Sequence, residues 1–267
     1  MALQLNVDTL AEGIAELTRR DSHLARVVAS HGPPPLWDRP AGFQTLVQII
    51  LEQQISLSAG RAAYVRLERL AGVVTPERVA ALSEADLRGA GLTRQKSAYI
   101  RDLAQAIVTR EFDPDALATL DDDEAREALV KLRGIGTWTA DIYLLMALGR
   151  ADIWPSGDLA LVAAMREVKR MRSLPTAERV ERITRAWSPW RAVAARVLWH
   201  HYLSTPRSRP KVSAARSSSG RTAAPSRRRD PTNRRTGSRS AALSRATAAD
   251  ASSRSRARTP RGGRTRG

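Results

Sequence analysis

The sequence contains no cysteine, and this absence excludes several kinds of structure at once. Without thiols the chain cannot form a disulfide, a thiolate zinc site or a cysteine-ligated iron–sulfur cluster. Long apolar runs are also missing, since none approaches the roughly 20 residues of a membrane-spanning helix. The segment before Asp8 carries no basic side chain, unlike the start of a secretory signal peptide. We therefore expect a soluble, intracellular protein without cysteine chemistry.

Strand-forming patterns are scarce as well. No stretch alternates polar and apolar residues with a period of two for long enough to predict a β-strand. Up to residue 204 the chain instead places apolar residues three and four apart, which is typical of helices with one buried face. Start signals delimit these segments, such as Ser56 before a helix over residues 57–70 and Pro76 in the first turn of a shorter one. The sequence predicts one all-α domain of about ten helices over residues 1–204.

Acidic residues almost vanish from the end of the chain. Residues 205–267 contain 18 of the 44 Lys and Arg residues but only 2 of the 27 Asp and Glu residues, so they carry nearly all of the net charge of +17. Large apolar residues are equally rare there, and we expect this Arg/Ser-rich tail to be disordered. The tail is either a dispensable extension or a segment that attracts nucleic-acid phosphates, independently of sequence and in a salt-sensitive way.

Two glycines separated by one residue stand between two helical patterns. Gly134 and Gly136 follow a predicted helix over residues 124–132 and precede another over residues 137–148, which indicates two helices joined by a tight hairpin. The first amides of the second helix have no intrahelical partner, and glycine lets a phosphate approach them closely. From this motif alone, a glycine-rich turn without a ligand is the alternative. We predict DNA contacts for the residues of the turn, Gly134, Ile135, Gly136 and Thr137.

Four motifs together carry a resemblance to a known family. They are Leu-x-Gly-Ile-Gly-x-Trp-Thr-Ala from Leu132, an aspartate after a Trp-Pro-Ser-Gly loop (Asp158), a Gln-Gln-Ile-Ser loop from Gln53, and Trp-Ser-Pro-Trp-Arg from Trp187. Together they resemble the helix-hairpin-helix (HhH-GPD) superfamily of base-excision DNA glycosylases, and within it the 3-methyladenine DNA glycosylase II branch. The resemblance covers roughly residues 43–203.

This resemblance implies a function in base excision repair. An enzyme of this branch hydrolyses the N-glycosidic bond of alkylated purines, such as 3-methyladenine and 7-methylguanine, after flipping the nucleotide out of double-stranded DNA. The resemblance implies no organic cofactor, although the family often holds a monovalent cation with hairpin carbonyls, here those of Leu132 and Ile135. It also implies a monomer that acts on genomic DNA, in the cytoplasm with a bacterial nucleoid or in a eukaryotic nucleus.

Asp158 is the predicted catalytic residue. Cleavage of the N-glycosidic bond builds positive charge on the sugar, so an ionised carboxylate is needed beside it. Asp158 opens a helix after a Pro-Ser-Gly loop, where helix-terminal amides favour the ionised form. The resemblance implies that this carboxylate stabilises the oxocarbenium-like transition state and orients the attacking water. The commoner explanation of a lone aspartate at such a position is a simple N-cap.

The residue at position 138, here a tryptophan, distinguishes two reaction classes among the enzymes that this sequence resembles. Relatives that also cut the DNA strand have a lysine at this position to form a Schiff base, so an indole implies a monofunctional enzyme without lyase activity. An electron-rich ring also suits a flipped base that carries positive charge. By the same resemblance we expect the base pocket to be lined by Trp138, Ile142 and Trp187. Ordinary core packing is the alternative for Trp138, and more strongly for Trp190 and Trp199.

Gln53 and Gln54 form the start of a loop between two predicted helices. Relatives insert a side chain from this loop, often an apolar one, into the gap that the flipped nucleotide leaves. The resemblance therefore implies that both glutamines contact DNA, with Gln54 or Gln53 as the inserted residue. A non-catalytic protein that binds damaged DNA through the hairpin and the tail is the alternative function, and a bifunctional glycosylase/lyase is a third.

Overall fold

The computed structural model describes residues 3–205, and this part of the chain is built from helices. They are α1 (Val7–Arg20), α2 (Ser22–His31), α3 (Phe43–Glu52), α4 (Leu57–Ala71), α5 (Pro76–Ala81), α6 (Glu84–Gly89), α7 (Arg94–Val108), α8 (Asp122–Val130), α9 (Thr137–Met146), α10 (Leu159–Val168), α11 (Ala177–Arg185) and α12 (Arg191–Ser204), with a 3₁₀ turn at Ala116–Ala118 between α7 and α8. Within residues 3–205 the β-type pairing is limited to an isolated bridge between Gln4 and Arg150. The all-α prediction is confirmed.

Side-chain caps explain why most helix starts could be predicted. Ser56, for example, accepts a hydrogen bond from the Ala59 amide at the start of α4, as the sequence indicates. Such a cap satisfies one of the orphan amides of the first turn, and a short polar side chain before an apolar run is its sequence signal. The other helices that begin with a side-chain cap do so at Asn6, Asp21, Thr75, Ser83, Thr93, Asp121, Asp158 and Thr176.

The number and some ends of the helices differ from prediction. The described residues contain twelve α-helices rather than about ten. Helix α8 begins at Asp122, two residues early, because Asp121 accepts hydrogen bonds from the amides of Asp123 and Glu124. It ends at Val130 because the residues that follow form the hairpin turn. Helix α9 ends at Met146 rather than at residue 148, just ahead of Gly149, whose φ is +64°.

Helices α9 and α12 contribute the two longest buried runs to the core of the described residues. Residues 139–146 of α9 and residues 192–199 of α12 are all buried. Arg196 lies within this core and donates hydrogen bonds to the carbonyls of Leu36, Ala192 and Leu145. Burial lowers the pKa of Arg196 to about 9, so the guanidinium remains largely charged at neutral pH, and its hydrogen bonds to three carbonyls compensate in part for the burial of that charge. The bond to Leu145 links α12 to α9, the helix that carries Trp138.

The segment that follows α9 is fixed to the start of the chain. The Leu5 amide donates to the Gly149 carbonyl at 2.6 Å, and the Ala151 amide donates to the Leu3 carbonyl at 2.9 Å. These bonds anchor the backbone just before it enters the loop of residues 152–158. The loop therefore leaves a fixed point rather than a mobile linker.

None of the helices within residues 3–205 combines the length and apolarity that crossing a bilayer requires. Helix α12 ends at Ser204. The predicted disordered tail over residues 205–267 lies, from residue 206 onward, outside the described residues, and it stays a prediction.

Candidate active site

The turn between α8 and α9 has the predicted hairpin geometry. Gly134 adopts a φ of +89° and leaves no room for a side chain, because the ring of Tyr99 lies against its Cα. Ile135 is buried and its amide donates to the Leu132 carbonyl at 3.1 Å. Gly136 is the N-cap of α9 and provides no side-chain hydrogen bond to the first amides of that helix. Amides at a helix start without a side-chain cap are chemically able to donate to an anion such as a phosphate.

The two glutamines of the loop after α3 have different surroundings. The Nε2 atom of Gln53 donates to the Gly134 carbonyl at 2.9 Å and approaches the Thr139 hydroxyl at 3.4 Å. Gln54 is exposed and adopts a positive φ of +61°, an uncommon conformation for a residue other than glycine. Gln53 therefore joins this loop to the hairpin, whereas Gln54 projects at the surface beside it.

Asp158 is buried and both of its carboxylate oxygens accept hydrogen bonds. It is the N-cap of α10, where Oδ1 accepts from the Leu161 amide at 2.8 Å. Its Oδ2 accepts from the indole Nε1 of Trp138 at 3.1 Å, and only 1% of the residue is exposed. The N-cap explanation is thus correct but incomplete, because a cap needs no indole donor from another helix. Two donors fix the direction of this carboxylate.

The base of the Asp158 loop is tied to the first turn of α12. Asp152 accepts two hydrogen bonds from the Arg191 guanidinium, at 2.8 and 3.0 Å, and a third from the Ser188 hydroxyl at 2.8 Å. Paired contacts of this kind between a guanidinium and a carboxylate fix orientation as well as distance. The backbone adds a bond from the Ala192 amide to the Ala151 carbonyl at 2.9 Å.

A cavity of about 850 Å³ lies beside this loop. Thr137 at the start of α9, Gly157, Asp158 and α11 line it. Asp141 also lines it and is 2% exposed, although α9 is otherwise apolar around it. Burial raises the pKa of Asp141, and the adjacent Arg126 guanidinium opposes that rise. Sequence reasoning missed Asp141, although a single carboxylate within the apolar run of α9 was a readable signal.

The predicted pocket residues other than Trp138 lie in the interior. Ile142 is fully buried one turn after Trp138 on α9. Trp187 is also buried, and its Nε1 donates to Asp21 at 2.9 Å while its ring lies 5.8 Å from that of Trp154. Burial raises the pKa of Asp21, but hydrogen bonds from Lys169 and Trp187 outweigh it and leave that pKa lowered. These contacts give Trp187 a structural role, and its place in the base pocket stays a prediction.

Trp199 is one of two tryptophans, with Trp190, for which the sequence favoured ordinary packing. It is 1% exposed, and its buried Nε1 has no hydrogen-bond partner within residues 3–205. This burial is that of a core side chain and agrees with ordinary packing. The packing must offset the cost of a buried indole N–H without a protein partner.

Comparisons with known proteins give a consistent result. Residues 47–189 match the family described as HhH-GPD superfamily base excision DNA repair protein. The chain is 24% identical over 211 residues to DNA-3-methyladenine glycosylase 1 of Schizosaccharomyces pombe, covering 74% of this chain and 92% of that protein. Its fold is similar to that of a DNA-3-methyladenine glycosidase from Bacillus halodurans, with a TM-score of 0.64, 29% identity, and coverage of 72% of this chain and 89% of that one.

A second solved structure adds DNA to the comparison. The 3-methyladenine DNA glycosylase of S. pombe in complex with abasic DNA has a TM-score of 0.63 and 24% identity to this chain. The match covers 70% of this chain and 95% of that one. At this identity the likeness concerns the fold, which in that protein accommodates DNA.

Proposed function

Since this chain belongs to the HhH-GPD superfamily of base excision DNA repair proteins, we propose that it hydrolyses the N-glycosidic bond of alkylated purines in double-stranded DNA. The substrates we propose are 3-methyladenine and 7-methylguanine, in keeping with relatives named DNA-3-methyladenine glycosylase. The observation that carries this proposal is the buried Asp158 carboxylate, directed by Trp138 and Leu161.

DNA binding begins at the hairpin. The amides at Gly136 and Thr137 donate to a backbone phosphate near the lesion at the positive end of the α9 dipole. Gln54, exposed beside the hairpin, contacts the DNA from the adjacent loop. Holding the phosphate fixes the backbone on one side of the target nucleotide while the nucleotide rotates out of the stack.

Catalysis is electrostatic in this proposal. As the glycosidic bond lengthens, positive charge develops on the sugar and the Asp158 carboxylate stabilises it. An N-alkylated purine already carries positive charge and leaves as a neutral base, so no strong general acid is required. Hydrogen bonds from Trp138 and the Leu161 amide keep the carboxylate in one orientation, so little reorganisation is needed during the reaction. Water then adds to C1′ of the sugar and loses a proton to solvent, which leaves an abasic site.

Trp138 supports a monofunctional reaction. A strand-cutting relative needs an amine at this position to form a Schiff base, and an indole nitrogen is a donor only. We propose that the ring also contacts the flipped, cationic base together with Ile142 and Trp187. Borohydride treatment during turnover should trap no covalent protein–DNA adduct, and a trapped adduct would contradict this part of the proposal.

We propose that the hairpin also holds a monovalent cation. The Gly134 carbonyl is taken by Gln53, and the Leu132 carbonyl accepts one backbone hydrogen bond but has a second lone pair. The carbonyls of Leu132 and Ile135 are the ligands we propose, and the ion would add positive charge beside the phosphate. No organic cofactor is part of the proposal. We further propose that the protein acts as a monomer where genomic DNA is found, in a nucleoid or nucleus.

The test is release of free base from methylated duplex DNA, measured by mass spectrometry. Asp158→Asn should lower the release rate on the order of 10²- to 10³-fold, which is the usual cost of removing one transition-state charge contact. Asparagine caps a helix about as well as aspartate, so the unfolding temperature and the affinity for abasic-site DNA should stay close to those of the native protein. This substitution therefore distinguishes catalysis from capping.

Two results would contradict the proposal. Native release rates in Asp158→Asn would remove that residue from the mechanism. A native protein that binds lesion-containing DNA tightly yet releases no base would instead be a non-catalytic binder of damaged DNA.

A further inference from the structure

Asp141 lies in an unusual position for a charged residue. It is on α9, where residues 139–146 are all buried, and it is itself 2% exposed. Removing a carboxylate from water is costly unless it is paired and hydrogen-bonded. The proposed reaction does not use this group directly, since the carboxylate that faces the substrate is that of Asp158.

The partners of Asp141 come from other elements. Its Oδ1 accepts a hydrogen bond from the Arg126 Nε of α8 at 2.7 Å. Arg126 in turn pairs with Asp123 at 2.5 Å. Across the cavity, Arg191 acts electrostatically on Asp141 and pairs with Asp152. The five side chains thus form an alternating series of charges that extends from the hairpin helices to the first turn of α12.

This series passes along one side of the Asp158 loop. Asp141, Ser156, Gly157 and Asp158 line the same cavity. The backbone amide of Ser156 favours the charged form of Asp141, as Arg126 does, and so lowers the pKa of that carboxyl against the effect of burial. Asp141 therefore lies beside the loop on the cavity wall that it shares with Ser156 and Asp158.

Helix α9 holds the loop at a second point as well. Trp138, three residues before Asp141 and on a neighbouring part of the helix surface, donates to Asp158 at 3.1 Å. One buried helix thus places Asp141 beside the loop at Ser156 and binds the loop at Asp158 through Trp138. The same helix begins at the phosphate-binding hairpin.

We infer that Asp141 is a positioning residue that, with Arg126, fixes the 152–158 loop on α9 and so sets the Asp158 carboxylate relative to the hairpin. This inference rests on the proposed function, because it assigns Asp141 an effect on the rate through Asp158. It adds a residue that the motifs do not mark. Its consequence is that the distance between the phosphate site and the carboxylate is fixed before DNA binds.

The main test compares Asp141→Leu with Asp141→Asn in single-turnover base release from methylated DNA. Asp141→Leu removes the carboxylate that interacts with Arg126 and the Ser156 amide, and a displacement of Asp158 by about 1 Å should lower the rate by up to about 100-fold. Asp141→Asn keeps an acceptor oxygen and should restore a large part of that loss. Affinity for abasic-site DNA should change less than twofold in both variants, because the hairpin amides are unaltered.

Glu181→Gln is the matched control. Glu181 lines the same cavity from α11 and pairs with the exposed Arg185, so the control makes the same carboxylate-to-amide change on a different helix. It should release base at the native rate. If it slows the reaction as much as Asp141→Asn does, the general charge of the cavity is responsible and the inference is wrong.

A double-mutant cycle gives a readout that a purely structural role would not change. If Asp141 and Trp138 act on one loop, the rate of Asp141→Leu with Trp138→Phe should be close to that of the slower single variant. Multiplying effects would mean independent action and would overturn the inference. The inference would also be overturned if Asp141→Leu lowered the rate, the DNA affinity and the unfolding temperature together, and Asp141→Asn restored none of them.

Failure of the proposed function and failure of the positioning role give different results. If the native protein releases no alkylated base, the proposed function fails. If the native protein releases base and Asp158→Asn does not, while both Asp141 variants keep the native rate, only the positioning role fails.

Discussion

The hairpin and the Asp158 loop are the two parts of the site, and they are stabilised in different ways. The hairpin turn is short, contains two glycines, and exposes the backbone amides to which the proposed function assigns phosphate binding. The loop buries the Asp158 carboxylate and depends on side chains that are distant in sequence, such as Arg191 and Trp138. In the proposed function, phosphate binding thus uses local backbone geometry, whereas catalysis uses long-range packing.

The difference follows from what each part must do. A phosphate is bound by exposed amides that also bind water in the free protein, so the hairpin can stay at the surface. A carboxylate that stabilises a developing cation is most effective in a dry, preorganised environment. Asp158 is accordingly 1% exposed, and it needs donors from other elements to compensate for its burial. Variants in the two parts should therefore affect different measurements.

Of the variants that test this difference, the hairpin substitution Gly134→Ala should have the largest effect on the free energy of unfolding. The added Cβ would overlap the Tyr99 ring, and the φ of +89° is unfavourable for alanine. We expect a loss of about 1–3 kcal/mol from backbone strain alone, plus the cost of moving Tyr99, with weaker binding of abasic-site DNA. Thermal unfolding and DNA titration measure the two effects.

Gly136→Ala is the control for this substitution. Gly136 has a φ of −94°, and no atom lies within 4 Å of the place that an added methyl group would take, so the unfolding temperature of this variant should stay nearly native. If both alanine variants are equally stable, the hairpin is not held by Tyr99 as the contact indicates.

A smaller effect, on the rate of base release, is expected from Trp138→Phe. This residue lies where α9 contacts the Asp158 loop. Phenylalanine keeps an aromatic ring but removes the indole donor to Asp158. A hydrogen bond to a charged group contributes about 1.5–3 kcal/mol, so single-turnover base release should slow by roughly 10- to 100-fold. Affinity for abasic-site DNA should remain native, because the phosphate amides are unaffected.

Trp190→Phe provides the comparison for that result. Trp190 packs against α1 at Gly13 and should release base at the native rate after the same change. Equal slowing of both variants would indicate a general loss of packing rather than loss of one hydrogen bond.

The same difference between hairpin and loop explains what could be predicted from sequence. The hairpin could be predicted because Gly134, Gly136 and the flanking helical patterns are adjacent in the chain, and local conformation decides such turns. The N-cap at Asp158 was predictable for the same reason. The contacts of Asp158 with Trp138, of Asp152 with Arg191 and of Asp141 with Arg126 were not, because they join residues 15 to 39 positions apart. Only the packing of the helices brings these pairs together.

In the glutamine loop, which begins at Gln53, one feature could be predicted from the sequence and another could not. Its place after a buried helix was readable, but the sequence could not distinguish Gln53 from Gln54. The distinction depends on the Gly134 carbonyl, 81 positions away, which accepts the Gln53 amide. Gln54, the next residue, is exposed and has a φ of +61°.

The smallest effect, on the pH dependence of the free energy of unfolding, is expected from a substitution of Lys96. This residue lies on α7 and contacts the end of α3, just before the glutamine loop. Its Nζ donates to the Leu51 carbonyl, at the end of α3 just before Gln53. Burial lowers the pKa of Lys96 from 10.5 to about 8, although the charge of Glu52 partly opposes this. The folded protein therefore holds this proton less tightly than the unfolded chain does. Between pH of about 8 and 10.5 the unfolded state binds more protons, so the contribution of Lys96 to the free energy of unfolding rises with pH.

Removing the amine should remove that rise. Denaturant unfolding of the native protein and of Lys96→Gln, at pH of about 7.5, about 9 and about 10, isolates the contribution as the difference between the two curves. The native protein should gain stability relative to Lys96→Gln as the pH increases, whereas Lys131→Gln, on the exposed end of α8, should follow the native curve. A pH-independent difference would mean that Lys96 titrates alike in both states. In that case the contact between α7 and the start of the glutamine loop would not depend on a buried amine. The hairpin and this loop would then be stabilised by local backbone geometry, as their sequence indicates.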